Sequence, residues 1–391
     1  MSRAGWVALL LGVSVLAGCG DEGASTTDVA AGVVTGAGLT RTIPVTRAQC
    51  TPFGNEPRPR QDFLALTNPM LCLGGGKRLP DWQDAAGTTR QACIYEPASS
   101  SKPLPLVFWL QGSMLPSTVQ LPVTNVLSSQ DTADLTGDPE RKGFILVELA
   151  GRITNHFYPV PNNTGTSGWD NWDRQLYPGA GARTVNGKTY PMNLDAAAID
   201  HYIEQALASG KVDPKRIYMM GWSNGAAMSI LYAMNRPLIA AAAVYSSPNP
   251  YDALSDDCGQ VPVAGAPRND TEVQVFNPTV PIFHIINDCD IYSICPGGVA
   301  LKDTLASTGT AALRFQIINL GQSPVSTCMA ACGTNPRGTD YSDLTGNLDL
   351  VNGGLPSLLG VLPGIPNHLR WPFNWTEEYF TFLREHPRVG K

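Results

Sequence analysis

The amino-acid sequence predicts an α/β fold with a mainly parallel central sheet flanked by helices. Three observations predict it. The runs Leu104 to Leu110, Gly143 to Leu149, Ala240 to Ser246 and Pro281 to Asn287 are almost continuously apolar, as in strands covered on both faces. Other stretches carry apolar residues at helical spacing, and the two kinds alternate along the chain, which favours parallel strands joined by helical crossovers. Finally, a strand signal meets a helix signal at one glycine-flanked turn, Gly221-Trp222-Ser223-Asn224-Gly225.

The chain has 391 residues and a formal net charge of −6 with no basic cluster, which argues against nucleic acid as a partner. Arg3, the apolar run Trp6 to Val15 and the small residues before Cys19 have the layout of an export signal. Leu16-Ala17-Gly18-Cys19 resembles the lipobox of bacterial lipoproteins, which implies cleavage before Cys19, lipid attachment to its thiol and a membrane-anchored protein in the cell envelope, periplasmic, on the outer membrane or released from it. Residues 1–19 are therefore expected to be a signal peptide and 20–40, rich in Gly, Ala, Ser and Thr, a flexible tether. Residues 41–391 are expected to form one domain, with no further run of about 18 apolar residues to span a membrane.

Of nine cysteines, eight are left when Cys19 is set aside, an even number that suits disulfides in an exported chain. Cys328 with Cys332 and Cys289 with Cys295 are the expected local bridges. Zinc is disfavoured, because paired C-x-x-C or His-x-x-x-His spacings are missing, and no metal or organic cofactor is expected.

From Thr42 to Trp82 the chain is rich in Pro and Gly and reads as irregular structure pinned by disulfides. Arg90 to Tyr95 reads as a strand, and the Leu104–Leu110 strand stops at Gln111-Gly112-Ser113. The long stretch from Arg152 to Pro191 reads as a loop bearing aromatic residues. Ile199, Tyr202, Ile203, Ala206 and Leu207 predict an amphipathic helix over Asn193–Ser209. Asp213-Pro214-Lys215 is a turn signal before the strand Arg216–Met220, and Ala226 to Ala233 continues as an apolar helix. Thr376–Glu385 closes the chain as a helix with an acidic start.

The pentapeptide at Ser223 is weak evidence by itself, since a glycine-rich chain offers many such turns. Its place between strand and helix is what matters. A turn that tight requires small neighbours and lifts the serine hydroxyl to the carboxyl edge of the sheet, beside the helix N-terminus, as in a nucleophile elbow. A serine nucleophile needs an imidazole to take its proton and a carboxylate to orient that imidazole. In the chain order Ser, acid, His, only His368 and His386 lie far enough downstream, and His386 sits at the end of the closing helix. His368, in the loop before that helix, is the candidate base. The candidate acid is Asp290, with Asp288 its rival, and His284 is expected to make a structural hydrogen bond. Backbone N–H groups of Asn224 and of Ser113 are the candidate oxyanion donors. Trp169, Trp172, Trp222 and Trp371 are candidate walls of an apolar substrate pocket.

Pro105-Leu106-Val107 leading to Gln111-Gly112, the stretch Val212 to Gly225, Val280 to His284 running on to Asp290 and Gly297-Gly298, and His368 before Trp371-Pro372 resemble the polyhydroxybutyrate depolymerase and feruloyl-esterase-like branch of the α/β-hydrolases. The resemblance covers roughly residues 90–386 and implies that Ser223 is the nucleophile, Asp290 the acid and His368 the base. It departs from the family where Gln111-Gly112 replaces the usual His-Gly, in lacking a His-Gly near Ile286-Asn287, and in one extra residue between His368 and Trp371. The implied function is hydrolysis of carboxylic esters, of polyester fragments or of feruloyl- or acetyl-type esters, through an acyl-enzyme. A catalytically silent binding protein and a serine peptidase on the same fold are the alternatives.

Overall fold

The structure is a computed structural model and describes residues 41–44, 50–51, 70–84, 89–97, 102–112, 117–153, 167–169, 183–185, 188–190, 193–251, 256–257, 272–290, 294–310, 312–328 and 365–388. All of them fall within one compact unit, Val33–Lys391.

The main sheet has nine strands, labelled here in chain order: β1 (Lys77–Arg78), β2 (Ala92–Tyr95), β3 (Leu104–Leu110), β4 (Ile145–Leu149), β5 (Val212–Trp222), β6 (Ala241–Tyr245), β7 (Pro281–Asn287), β8 (Ala312–Ile318) and β9 (Pro324–Val325). Their spatial order is β1-β2-β4-β3-β5-β6-β7-β8-β9. The six strands from β4 to β8 run parallel, and β1, β2 and β9 join antiparallel at the edges. The principal helices are α1 (Leu194–Ala208), α2 (Asn224–Asn235), α3 (Ile294–Thr308) and α4 (Thr376–Glu385).

The continuous apolar runs are explained by helices on both faces. Leu106, Phe108 and Leu110 of β3 pack with Ile217 and Met219 of β5 against α1, α2 and α3, through Ile199, Tyr202, Met228, Leu231, Leu301 and Leu305. The alternate residues Val107, Trp109, Tyr218 and Met220 face Leu121, Val126 and Phe144 and the α4 side chains Tyr379, Phe380, Phe382 and Leu383. Period-two alternation therefore persists, but both sets are apolar because both faces are buried. Every residue of α2 is buried, which suits a helix without a polar face.

The helix over 194–208 starts one residue later than its pattern predicts because Asn193 is its cap: Asn193 Oδ1 accepts from the N–H groups of Asp195 and Ala196 at 2.9 and 3.0 Å. The turn signal Asp213-Pro214-Lys215 lies inside β5, where pairing with β3 is irregular between Val212 and Ile217, as a proline without a ladder N–H requires. Helix α3 and strand β8 were not anticipated. The region 42–82 is less irregular than expected: Lys77–Arg78 extends the sheet, and Arg41–Pro44 pairs antiparallel with Glu272–Val275. Of the stretch 152–191, two short antiparallel pairs are described, Arg152–Ile153 with Ser167–Gly168 and Arg183–Val185 with Lys188–Tyr190. The expected signal peptide, residues 1–19, and the expected tether, residues 20–40, lie outside the described residues.

Disulfides join Cys72 to Cys93 and Cys295 to Cys328. The two expected local bridges are thus incorrect. Cys328 follows β9 at the sheet edge, beside the first turn of α3, and reaches Cys295 across 33 residues of sequence. Cys289 is disulfide-bonded as well. No helix among the described residues is long and apolar enough to cross a membrane.

A parallel sheet covered on both faces, with a serine on the strand-to-helix turn at its centre, is the α/β-hydrolase arrangement.

Candidate active site

Ser223 stands between β5 and α2 with φ 57° and ψ −122°, a conformation that costs a non-glycine residue about 1–3 kcal/mol. Its N–H donates to Tyr245 O at 2.9 Å, which holds the turn against β6. The two flanking glycines are required by space. A Cβ on Gly221 would lie 2.6 Å from Gly225 O, and one on Gly225 would lie 2.1 Å from Gln111 O and 2.3 Å from Leu110 O. Both walls are backbone, so a side chain there has nothing soft to displace.

The structure brings Ser223, His368 and Asp290 together. His368 Nδ1 is 2.6 Å from Asp290 Oδ1, and His368 Nε2 is 2.9 Å from Ser223 Oγ. A carboxylate only accepts, so Nδ1 carries the ring proton and Nε2 presents its lone pair to the serine hydroxyl. All three side chains are buried, with Ser223 and His368 each 6% exposed.

His368 is the last residue of a one-turn helix, Ile365–His368, and three strand ends hold it. Trp222 Nε1, at the end of β5, donates to His368 O at 2.9 Å. Tyr245 Oη, at the end of β6, donates to Asn367 O at 2.9 Å, and burial keeps that hydroxyl protonated by pushing it well above its ordinary range. Asn367 Nδ2 donates to Asn287 Oδ1, at the end of β7, at 2.8 Å. Ligand sites in open α/β sheets sit at these carboxyl ends.

Beside the serine, the turn after β3 is pinned on several sides. Gly112 N–H donates to Gln120 Oε1 at 2.5 Å, Gly151 N–H to Gln111 Oε1 at 3.2 Å, and Trp169 Nε1 to Gln111 O at 2.7 Å. Asn224 clasps the backbone of Trp169, accepting from its N–H at 2.6 Å and donating to its carbonyl at 3.3 Å. The main-chain N–H of Asn224 is the first of α2 and has no intrahelical acceptor. The Gly112 N–H is committed to Gln120. Ser113 lies outside the described residues.

Trp169, Trp222 and Trp371 are buried to within 1% exposure, and each indole N–H is in use, Trp371 Nε1 donating to Asn125 Oδ1 at 3.0 Å. Trp222, Trp371 and Tyr245 pack together in tilted and edge-on contacts, with ring centroids 5.6–5.9 Å apart. Trp172 lies outside the described residues. Asp290, not Asp288, is the carboxylate bonded to His368 Nδ1; burial raises the Asp288 carboxyl above the usual range. His284, buried in β7 and pushed down to about 3 by burial, is neutral and accepts from Ser247 N–H at 3.1 Å. Gly298 lets α3 approach it, since a Cβ there would meet Ile286 Cδ1 at 2.7 Å and His284 Cε1 at 3.2 Å.

Two contributors escaped the sequence reading. Gln120 has no sequence signal. Ser246, whose hydroxyl donates to Asp290 Oδ2 at 2.5 Å, had a faint one: a polar residue directly after an apolar strand, at the edge where ligand sites form.

No protein-family model matches the chain, and no curated protein matches it. Among solved structures it is similar to a thermostable esterase, with TM-score 0.39 and 16% identity over 74% of this chain and 63% of the esterase. This chain thus spans less than two thirds of that protein's length. It is also similar to an acetyl xylan esterase from Aspergillus awamori, with TM-score 0.37 and 14% identity over 59% of this chain and 81% of the other. An S-formylglutathione hydrolase from Agrobacterium tumefaciens gives TM-score 0.44 and 11% identity over 80% and 96%.

Proposed function

We propose that the protein is a serine hydrolase of carboxylic esters. The observation that carries this reading is the hydrogen-bonded chain from Asp290 through His368 to Ser223. In it, His368 Nε2 takes the proton from Ser223 Oγ as the oxygen attacks the ester carbonyl, and Asp290 stabilises the imidazolium that forms. The carbonyl oxygen gathers negative charge near the N-terminus of α2, where the Asn224 N–H and that of Ser113 are the proposed donors. His368 then returns the proton to the departing alkoxide. This leaves an acyl group on Ser223, and a water activated by the same imidazole releases it.

The substrate class we favour is that of polyester fragments and feruloyl- or acetyl-type esters, on the sequence resemblance. We further propose that the protein is exported and lipid-anchored at Cys19. The lipobox-like Leu16-Ala17-Gly18-Cys19 supports this, and disulfides suit an oxidising compartment.

The test is turnover of nitrophenyl esters of increasing acyl length by the mature protein and by Ser223→Ala. Loss of the hydroxyl is expected to lower kcat by about 10⁴-fold or more and to abolish fluorophosphonate labelling. A parent that folds but neither turns over nor labels would overturn the proposal.

A further inference from the structure

We propose that Ser246 is a positioning residue for Asp290, an inference that rests on the ester-hydrolase reading. A carboxylate that orients an imidazole must keep its own plane, and the terminal torsion of an aspartate is soft. His368 engages one oxygen of Asp290, and Ser246 Oγ donates to the other, Oδ2, at 2.5 Å. The two contacts together fix the plane in which Oδ1 meets Nδ1. Ser246 is fully buried, so water does not compete for this charge-assisted bond.

The backbone around Ser246 is built to hold that hydroxyl. Ser246 has φ 52°, in the left-handed region that favours glycine. Its N–H donates to Ile285 O at 2.9 Å, and the next N–H, of Ser247, donates to His284 Nε2 at 3.1 Å. Both acceptors belong to β7, the strand that leads directly to Asp290. The serine and the acid it touches are therefore referenced to the same strand. A side chain is kept where glycine would rest without strain, and the only feature serine adds there is its hydroxymethyl group, whose oxygen makes this contact.

That strain supplies the test, because it separates the hydroxyl from the turn. In Ser246→Gly the turn relaxes and the hydroxyl is lost; in Ser246→Ala the hydroxyl is lost and the strain stays. With a positioning role, kcat on a soluble nitrophenyl ester falls about 10- to 100-fold in both variants, with KM within about twofold of the parent. The glycine variant then shows no recovery of kcat over the alanine variant, although its Tm is the higher of the two. Should both variants fail to fold, Ser246→Cys keeps a side chain with a weaker donor and is expected to lose kcat by a smaller factor at unchanged KM. A glycine or cysteine variant with the parent's kcat would overturn the positioning role alone. A folded parent inert to both ester and fluorophosphonate would instead overturn the hydrolase reading, and this inference with it.

Discussion

Glu148 gives the sharpest quantitative expectation. It lies in β4, fully buried, opposite Trp109 of β3 and Cys93 of β2. Tyr95 Oη donates to its Oε2 at 2.7 Å, while its Oε1 has no hydrogen-bond partner among the described residues. The Ser117 hydroxyl lies near enough to favour the carboxylate, but outside hydrogen-bonding geometry. Burial dominates and raises the carboxyl from 4.5 to about 7. The sign follows directly. Between those values the folded protein keeps a proton that the unfolded chain has released, so the contribution of Glu148 to stability is greatest in acid, falls as pH rises through the window, and levels off above it. At about 1.4 kcal/mol per pH unit, the loss is about 3 kcal/mol. Glu148→Gln preserves the shape and the acceptor for Tyr95 but cannot ionise. Urea unfolding of both proteins with disulfides intact, from roughly pH 4 to 8, isolates this group because every other titration is shared. The glutamine variant should gain on the parent by about 3 kcal/mol across that range. Parallel pH dependence in the two proteins would refute the argument.

Gly225→Ala should be destabilised by more than about 3 kcal/mol and lose ester turnover, since its Cβ would lie 2.1 Å from Gln111 O, whereas Gly297→Ala, with nothing closer than 3.6 Å, should stay near the parent in Tm. Arg90→Met removes the buried cation facing Asp195 at 2.6 Å and Asp84 at 3.3 Å, and urea unfolding should show a loss of about 3–5 kcal/mol.

What could be read along the chain was local. Pro281–Asn287 and Thr376–Glu385 have the predicted bounds, because hydrophobic period and first-turn charge act over a few residues. The glycines at 221 and 225 were legible for the same reason, a turn too tight for a Cβ. Helix α3 hid behind Cys295-Pro296-Gly297-Gly298, residues that favour turns in isolation; packing of Leu301 and Leu305 on the sheet overrides that preference. Asp288 and Asp290 differ little as sequence, and which one faces His368 depends on how the chain leaves β7. The cysteine partners, the hold of Trp222 on the histidine carbonyl and the contact of Ser246 with Asp290 join residues 21 to 146 positions apart. The sequence by itself determined the elements and the shape of the serine turn, since those energies are made between near neighbours. Only the tertiary structure decided which distant side chains meet, because that depends on the strand order and on which strand ends the sheet brings side by side.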